Sequence, residues 1–176
     1  MRARGQFWSQ VWDFAGITAT QKGDISVVDE HLMPGAKWFP EARLNFAQNL
    51  LAADSAALVF RNESGQRRSL SHAELRAAVA ATAAQFRAHG LATGDRVAAI
   101  LPNLPETVIA MLAATSIGAV WSSCSPDFGE RGVLERFGPI EPKLLIGVDG
   151  YVYAGKRIEC RGQLRSIVRS LPSVTC

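Results

Sequence analysis

Between residues 94 and 148 the hydrophobic positions change period repeatedly, and each change marks an element. Gly94-Asp95 is turn chemistry. Residues 96–101 form a nearly unbroken apolar run, the pattern of a strand covered on both faces. Pro102-Asn103-Leu104-Pro105 interrupts it, and Pro105 suits the first turn of a helix, where its missing N–H costs nothing. Val108, Met111, Leu112 and Thr115 then recur at helical spacing and predict a helix over 105–117, ended by Gly118. Residues 119–123 predict a second strand, 130–137 a helix and 143–148 a third strand. Two strands joined by a covering helix predict a parallel βαβ unit with a right-handed crossover.

Upstream, Phe7, Trp8, Val11, Trp12 and Phe14 predict a short aromatic helix, and residues 31–40 an extended loop punctuated by Pro34, Gly35 and Pro40. A helix is expected over 43–51, with Leu44, Ala47, Leu50 and Leu51 on one face. Residues 56–60 and 66–70 predict a hairpin about the turn Asn62-Glu63-Ser64-Gly65. Ser71 and Glu74 have capping-box spacing and open a helix with Leu75, Val79, Ala83 and Phe86 on one face, closed by Gly90. Near the end, Leu164, Ile167, Val168 and Leu171 predict an apolar helix face, stopped by Pro172. Val174 then starts what reads as another strand. A sheet seldom stops on the first residues of a strand, so the sequence is expected to be part of a longer protein. With no linker or repeat visible, the expected organisation is one α/β domain. In it, residues 1–55 are an aromatic-rich helical and loop extension packed on the body, and 56–176 form the body, cut short at its C-terminal end.

Composition narrows the class. A chain of 176 residues with 48% apolar content can bury a core. A net charge of +3 gives no reason to expect a nucleic-acid partner. Met1-Arg2-Ala3-Arg4 is basic but no apolar run follows, so no secretory signal is read. The apolar stretch 108–120 falls short of the ~18 residues that span a bilayer. A soluble, cytoplasmic protein without a membrane span is expected. Cys124, Cys160 and Cys176 lack metal-ligand spacing and suit a reducing compartment. Cys124 follows a strand end, where ligands bind in open α/β sheets, but a small core residue is the favoured reading. Arg157, Arg161, Arg165 and Arg169 repeat every four residues. On a helix they would make one basic stripe, read as a solvated surface in preference to a phosphate or nucleic-acid contact.

The same segments carry a family resemblance. Gly94-Asp95-Arg96-Val97, Pro102-Asn103-Leu104-Pro105-Glu106 and Ile117-Gly118-Ala119-Val120 resemble the N-terminal part of the acyl-adenylate-forming (ANL) synthetases, as does Ser71-His72-Ala73-Glu74-Leu75 upstream. The runs 33–40, 121–129 and 150–156 resemble the acetoacetate–CoA ligase branch of that family. The resemblance covers nearly the whole chain. It implies the N-terminal subdomain of an adenylating (AMP-binding) domain, from a ligase that activates acetoacetate or another short acid with ATP and passes the acyl group to CoA. ATP, magnesium and CoA are implied for the full-length family, and no cofactor is expected for this chain alone. The family's Ser/Thr/Gly-rich phosphate loop ending in Pro-Lys is not found in the sequence, nor is GxxxxGK[ST], GxGxxG or GxSxG. No catalytic residue or metal ligand is therefore assigned, and the isolated chain is expected to be inactive.

What the resemblance does place here are candidate CoA contacts: Phe128, Tyr153 and Lys156. Lys156 keeps the basic character of a phosphate partner. Tyr153 stands where related acetyl-CoA synthetases carry an arginine, and its ring would instead stack on adenine. Phe128 matches an aromatic bordering the CoA channel, although Pro126-Asp127 replaces a glycine pair there. Ordinary packing for the two aromatics and a solvated charge for Lys156 remain open alternatives. So does a different function for the whole chain: a non-catalytic α/β binding or interaction module whose open edge and apolar C-terminal face dock another chain, or the product of a decayed gene. For the ligase reading, docking to the remainder of the domain is the expected partnership.

Overall fold

The computed structural model describes residues 4–52 and 58–175. The chain forms two compact units, Met1–Ala52 and Ala53–Cys176.

In the first unit, α1 (Arg4–Phe14) precedes a minimal antiparallel pair, β1 (Val27–Val28) with β2 (Lys37–Trp38), and a short α2 (Phe46–Leu50). Aromatic contacts hold it together. Trp8 meets Trp38 edge-on with ring centroids 6.0 Å apart, and Trp12 meets Phe39 at 4.9 Å. Gly5 permits α1 to approach the chain at Ser26, whose Oγ would lie 2.6 Å from an added Cβ. The loop expected over 31–40 thus contains β2. The helix expected over 43–51 is shorter, because the Asn45 side chain accepts the Gln48 N–H and fixes the start one residue later. Of the face Leu44, Ala47, Leu50 and Leu51, only Ala47 is buried.

The second unit opens with a hairpin, β3 (Leu58–Arg61) and β4 (Arg67–Leu70), and continues with α3 (His72–Ala88), β5 (Arg96–Ile100), α4 (Pro105–Ser116), β6 (Val120–Cys124), α5 (Glu130–Phe137) and β7 (Leu144–Gly147). A second hairpin, β8 (Gly150–Tyr153) and β9 (Lys156–Glu159), leads into α6 (Arg161–Arg169). Residues 56 and 57 of the first expected strand lie outside the described residues.

The three expected strands form one parallel sheet in the order β6-β5-β7, with Ala98 opposite both Ser122 and Leu145. β5 is central, and its residues from Val97 to Ile100 are buried, as an apolar run covered on both faces requires. Ala98, Ile100 and Leu145 join a core with Val133 and Phe137 of α5, Ile167 of α6 and Leu171. The alternate positions Val97, Ala99, Leu144 and Ile146 face the other way, toward α3 and α4. The result is three layers, helices on both sides of a parallel sheet, as the βαβ reading predicts.

Several details differ. On α4 the buried residues are Pro105, Ala110, Leu112, Ala113 and Ala114, so the expected face of Val108, Met111, Leu112 and Thr115 holds only at Leu112. A helix pressed against both α3 and the sheet buries small alanines and leaves longer side chains at its rim. On α6, Leu164 and Ile167 pack inward, as does Leu171 just beyond its end, but Val168 is exposed. Val174 starts no strand: the next residue makes one ladder-like bond, Thr175 N–H to the Lys143 carbonyl at 3.0 Å. The arginine stripe is also broken. Arg157 belongs to β9, leaving Arg161, Arg165 and Arg169 on α6, because Gly150 and Gly155 favour a hairpin before the helix begins.

The capping box at α3 is complete. The Ser71 hydroxyl accepts the Glu74 N–H at 3.3 Å, and the Glu74 carboxylate accepts the Ser71 N–H at 2.8 Å. The Ser71 N–H and hydroxyl hold the Glu74 carboxyl below its usual range. Ser71 is exposed rather than buried, yet its hydroxyl still satisfies one of the orphan amides of the first turn. Ser71→Ala is expected to lower stability by about 1 kcal/mol in chemical denaturation. An unchanged midpoint would show that the helix does not depend on this cap.

Candidate functional site

The carboxyl ends of β5 and β6 open into a cavity of about 590 Å³. The turn after β5 forms one wall through Leu101, Pro102, Asn103 and Leu104, and residues 123–126, the end of β6 and the two residues after it, form the next. The first hairpin contributes Phe60 to Glu63, and β8 contributes Gly150 to Tyr153. Open parallel sheets bind ligands in this position, outside the carboxyl ends of their strands.

The walls are braced from within. The Thr107 hydroxyl donates to the Pro102 carbonyl at 2.7 Å, tying the first turn of α4 to the turn that precedes it. The Leu101 N–H donates to the Cys124 carbonyl at 3.2 Å, carrying the β5–β6 pairing one step past the strand end. Cys124 lines the cavity and also packs against the α5–α6 core. Burial pushes its thiol above the usual range, which disfavours the thiolate. Burial likewise raises Tyr151, keeping its phenol neutral. At the base of the second hairpin the Asp149 carboxyl is held low by the Arg161 guanidinium 3.0 Å away.

Of the three candidate CoA contacts, the structure brings two together. Tyr153 ends β8, Lys156 begins β9, and the two are directly paired across the ladder. Directly opposed residues share a face, so the ring and the ammonium stand side by side. Tyr153 lines the cavity and is 67% exposed. Lys156 is exposed and makes no ion pair among the described residues. Phe128 lies elsewhere. It packs against the α5–α6 core with the Arg136 guanidinium 4.1 Å from its ring centroid, and its carbonyl accepts a hydrogen bond from Gln163 at 2.7 Å. The loop that carries Phe128 therefore presents Ser125 and Pro126, rather than the ring, to the cavity.

A family model described as AMP-binding enzyme matches residues 46–174. The chain belongs to the AMP-binding enzyme family. Acetoacetyl-coenzyme A synthetase from Rhizobium meliloti (strain 1021) is 49% identical over 174 residues, which is 98% of this chain and 27% of that protein. Acetoacetyl-CoA synthetase from Xenopus tropicalis is 44% identical over 96% of this chain and 26% of its own length. A solved structure of acetoacetyl-CoA synthetase from Streptomyces lividans superimposes with a TM-score of 0.93 at 41% identity, covering 98% of this chain and 27% of that one. The resemblance of the motifs at 33–40, 121–129 and 150–156 is thus matched across the whole sequence and fold. The chain spans about a quarter of the length of these AMP-binding relatives.

AMP-binding enzymes that form acyl-adenylates act on ATP, an acid and CoA, typically with magnesium. The described residues hold no cluster of three or more His, Cys, Asp or Glu side chains fit for a metal ion, and the sequence has no glycine-rich phosphate loop. None of the described helices is long and apolar enough to cross a membrane.

The sequence did not reveal that residues 150–159 form a hairpin, although the signal is there. Gly-Tyr-Val-Tyr and Lys-Arg-Ile-Glu are two short β-prone runs separated by two residues, the second a glycine. Nor did it reveal the role of Glu63, whose carboxylate reaches that hairpin from 91 residues away.

Proposed function

We propose that this segment forms part of an acid–CoA ligase that activates acetoacetate, and that its share of the work is to receive the nucleotide end of CoA. In the first half-reaction the acetoacetate carboxylate attacks the α-phosphorus of ATP, giving the acyl-adenylate and pyrophosphate. In the second the CoA thiol attacks the acyl carbonyl and AMP leaves. The observation that carries the reading is the Tyr153–Lys156 pair at the rim of the strand-end cavity. An exposed aromatic beside an exposed ammonium suits a purine ring next to a phosphate. The likeness to acetoacetyl-CoA synthetases over 98% of the chain supports acetoacetate as the acid.

The phosphate-handling chemistry of adenylation belongs, in this reading, to residues outside the 176 given. The apolar groove of about 790 Å³ between α3, α4 and β7, lined by Phe86, Ile109, Leu144 and Ile146, is then the surface on which the remainder of the ligase docks.

Acetoacetate-dependent exchange of pyrophosphate into ATP tests the division of labour. The full-length protein carrying this segment is expected to catalyse it, and the 176-residue chain is expected to stay at the background of a no-acid control. Exchange by the isolated chain would overturn the assignment of adenylation to the remainder. Its absence from the full-length protein with every short acid tried would overturn the ligase reading.

A further inference from the structure

The hairpin that carries Tyr153 and Lys156 is poorly equipped to hold itself in place. It has four residues per strand, pairs with no other strand among the described residues, and every residue of β9 is exposed. Two-stranded hairpins of this size are marginal on their own. Its two-residue turn is Ala154-Gly155, with φ of +50° and +72°, the left-handed pair of a type I′ turn. Asn or Gly normally fills the first of these positions. An alanine there is strained by contact between its Cβ and the neighbouring carbonyl.

A carboxylate from the other hairpin meets this turn. Glu63 Oε2 accepts the Ala154 N–H at 3.0 Å, and Oε1 accepts the Gly155 N–H at 2.8 Å. Successive amides in left-handed conformation make a concave anion site, and both of its donors are taken by the two oxygens of one side chain. Glu63 itself sits on a fixed platform. Asn62 Oδ1 accepts the Gln66 N–H at 2.9 Å and the Ser64 hydroxyl at 2.8 Å, while the Gly65 N–H donates to the Asn62 carbonyl at 3.1 Å. The two hairpins meet at one side of the strand-end cavity, which both of them line.

We propose that Glu63 is a positioning residue for CoA: its carboxylate clamps the Ala154-Gly155 turn and so holds Tyr153 and Lys156 in register at the cavity rim. This rests on the reading of Tyr153 and Lys156 as CoA contacts. Glu63 touches no substrate in this scheme. Without it, the strained turn relaxes and Lys156 samples positions from which it does not meet a phosphate.

The test uses the full-length protein with two readouts, hydrogen exchange of the peptide covering 150–159 and steady-state kinetics. Glu63→Ala is expected to speed exchange in that peptide and to raise KM for CoA about fivefold, with acetoacetate-dependent ATP–pyrophosphate exchange unchanged. Glu63→Gln keeps one acceptor oxygen and should fall between. Adding Ala154→Gly, which removes the turn strain without restoring the carboxylate, should recover part of the CoA affinity. Unchanged hydrogen exchange in Glu63→Ala would overturn the clamp. Faster exchange with unchanged KM, where Lys156→Ala does raise it, would overturn the positioning role alone. If neither Glu63→Ala nor Lys156→Ala moves KM, the reading of the hairpin as a CoA site falls, and the positioning role falls with it.

Discussion

Phe137→Ala is expected to destabilise the second unit by about 4 kcal/mol, enough to remove much of the stability of an ordinary domain. Phe137 ends α5 and is 0% exposed, the largest of the fully buried side chains. Its ring fills the space between the sheet at Ala98 and Ile100, α6 at Ile167, and Leu171 just past the end of α6. Truncation loses the transfer free energy of the ring and leaves a cavity among residues tied to three different elements. Those elements cannot all close onto it, so the cost should lie in the upper part of the range for phenylalanine. Val168→Ala on α6, where the side chain is 44% exposed, is the matched control and should cost about 0.5 kcal/mol or less. Chemical denaturation of both variants checks this. A Phe137→Ala loss below about 1.5 kcal/mol would mean that α5 and α6 repack freely and that this core is not the anchor of the sheet's second face.

Lys156→Ala in the full-length protein is expected to raise KM for CoA about tenfold and to leave acetoacetate-dependent ATP–pyrophosphate exchange nearly unaltered. A charge-assisted hydrogen bond to a phosphate is worth about 1.5–3 kcal/mol, and each 1.4 kcal/mol is a factor of ten. The adenylation half-reaction does not involve CoA, so the effect should be confined to the second half. Dephospho-CoA refines the result: if Lys156 meets the 3′-phosphate, the variant should discriminate less between CoA and dephospho-CoA than the parent does. An unchanged KM, or an equal loss in both half-reactions, would return Lys156 to an ordinary solvated charge.

How far the sequence could be read depends on the range of the interaction. β5, α3 and α5 were legible because each is specified by its own residues: an unbroken apolar run, a capping box with a clean 3.6-residue face, and a short amphipathic helix. α4 was legible as a helix but not as a face, because which residues it buries is decided by how closely α3 and the sheet approach it. The arginine stripe was misread because a period of four is meaningful only on a helix, and Arg157 lies in a strand. Tyr153 and Lys156 were singled out as candidates through the motif, whereas their pairing was not foreseen, since that needs the turn to be recognised first. Phe128 was likewise singled out by resemblance, and the structure packs its ring under Arg136. Glu63 was beyond reach, because nothing local to residue 63 announces a partner at 154 and 155.

The thickness of the sheet's centre has a further consequence. Ala98 and Ala99 are adjacent, both 0% exposed, and point to opposite helical layers. A single methyl group on each side therefore sets how near the layers come to the middle strand. A larger side chain at either position acts as a wedge, since close-packed interiors yield by displacement rather than compression. The strand it would displace runs directly into the Leu101–Leu104 turn that borders the cavity. The geometry of the mouth is thus coupled to the volume of two of the smallest side chains in the core, and the site inherits its shape from the gauge of the layers beneath it.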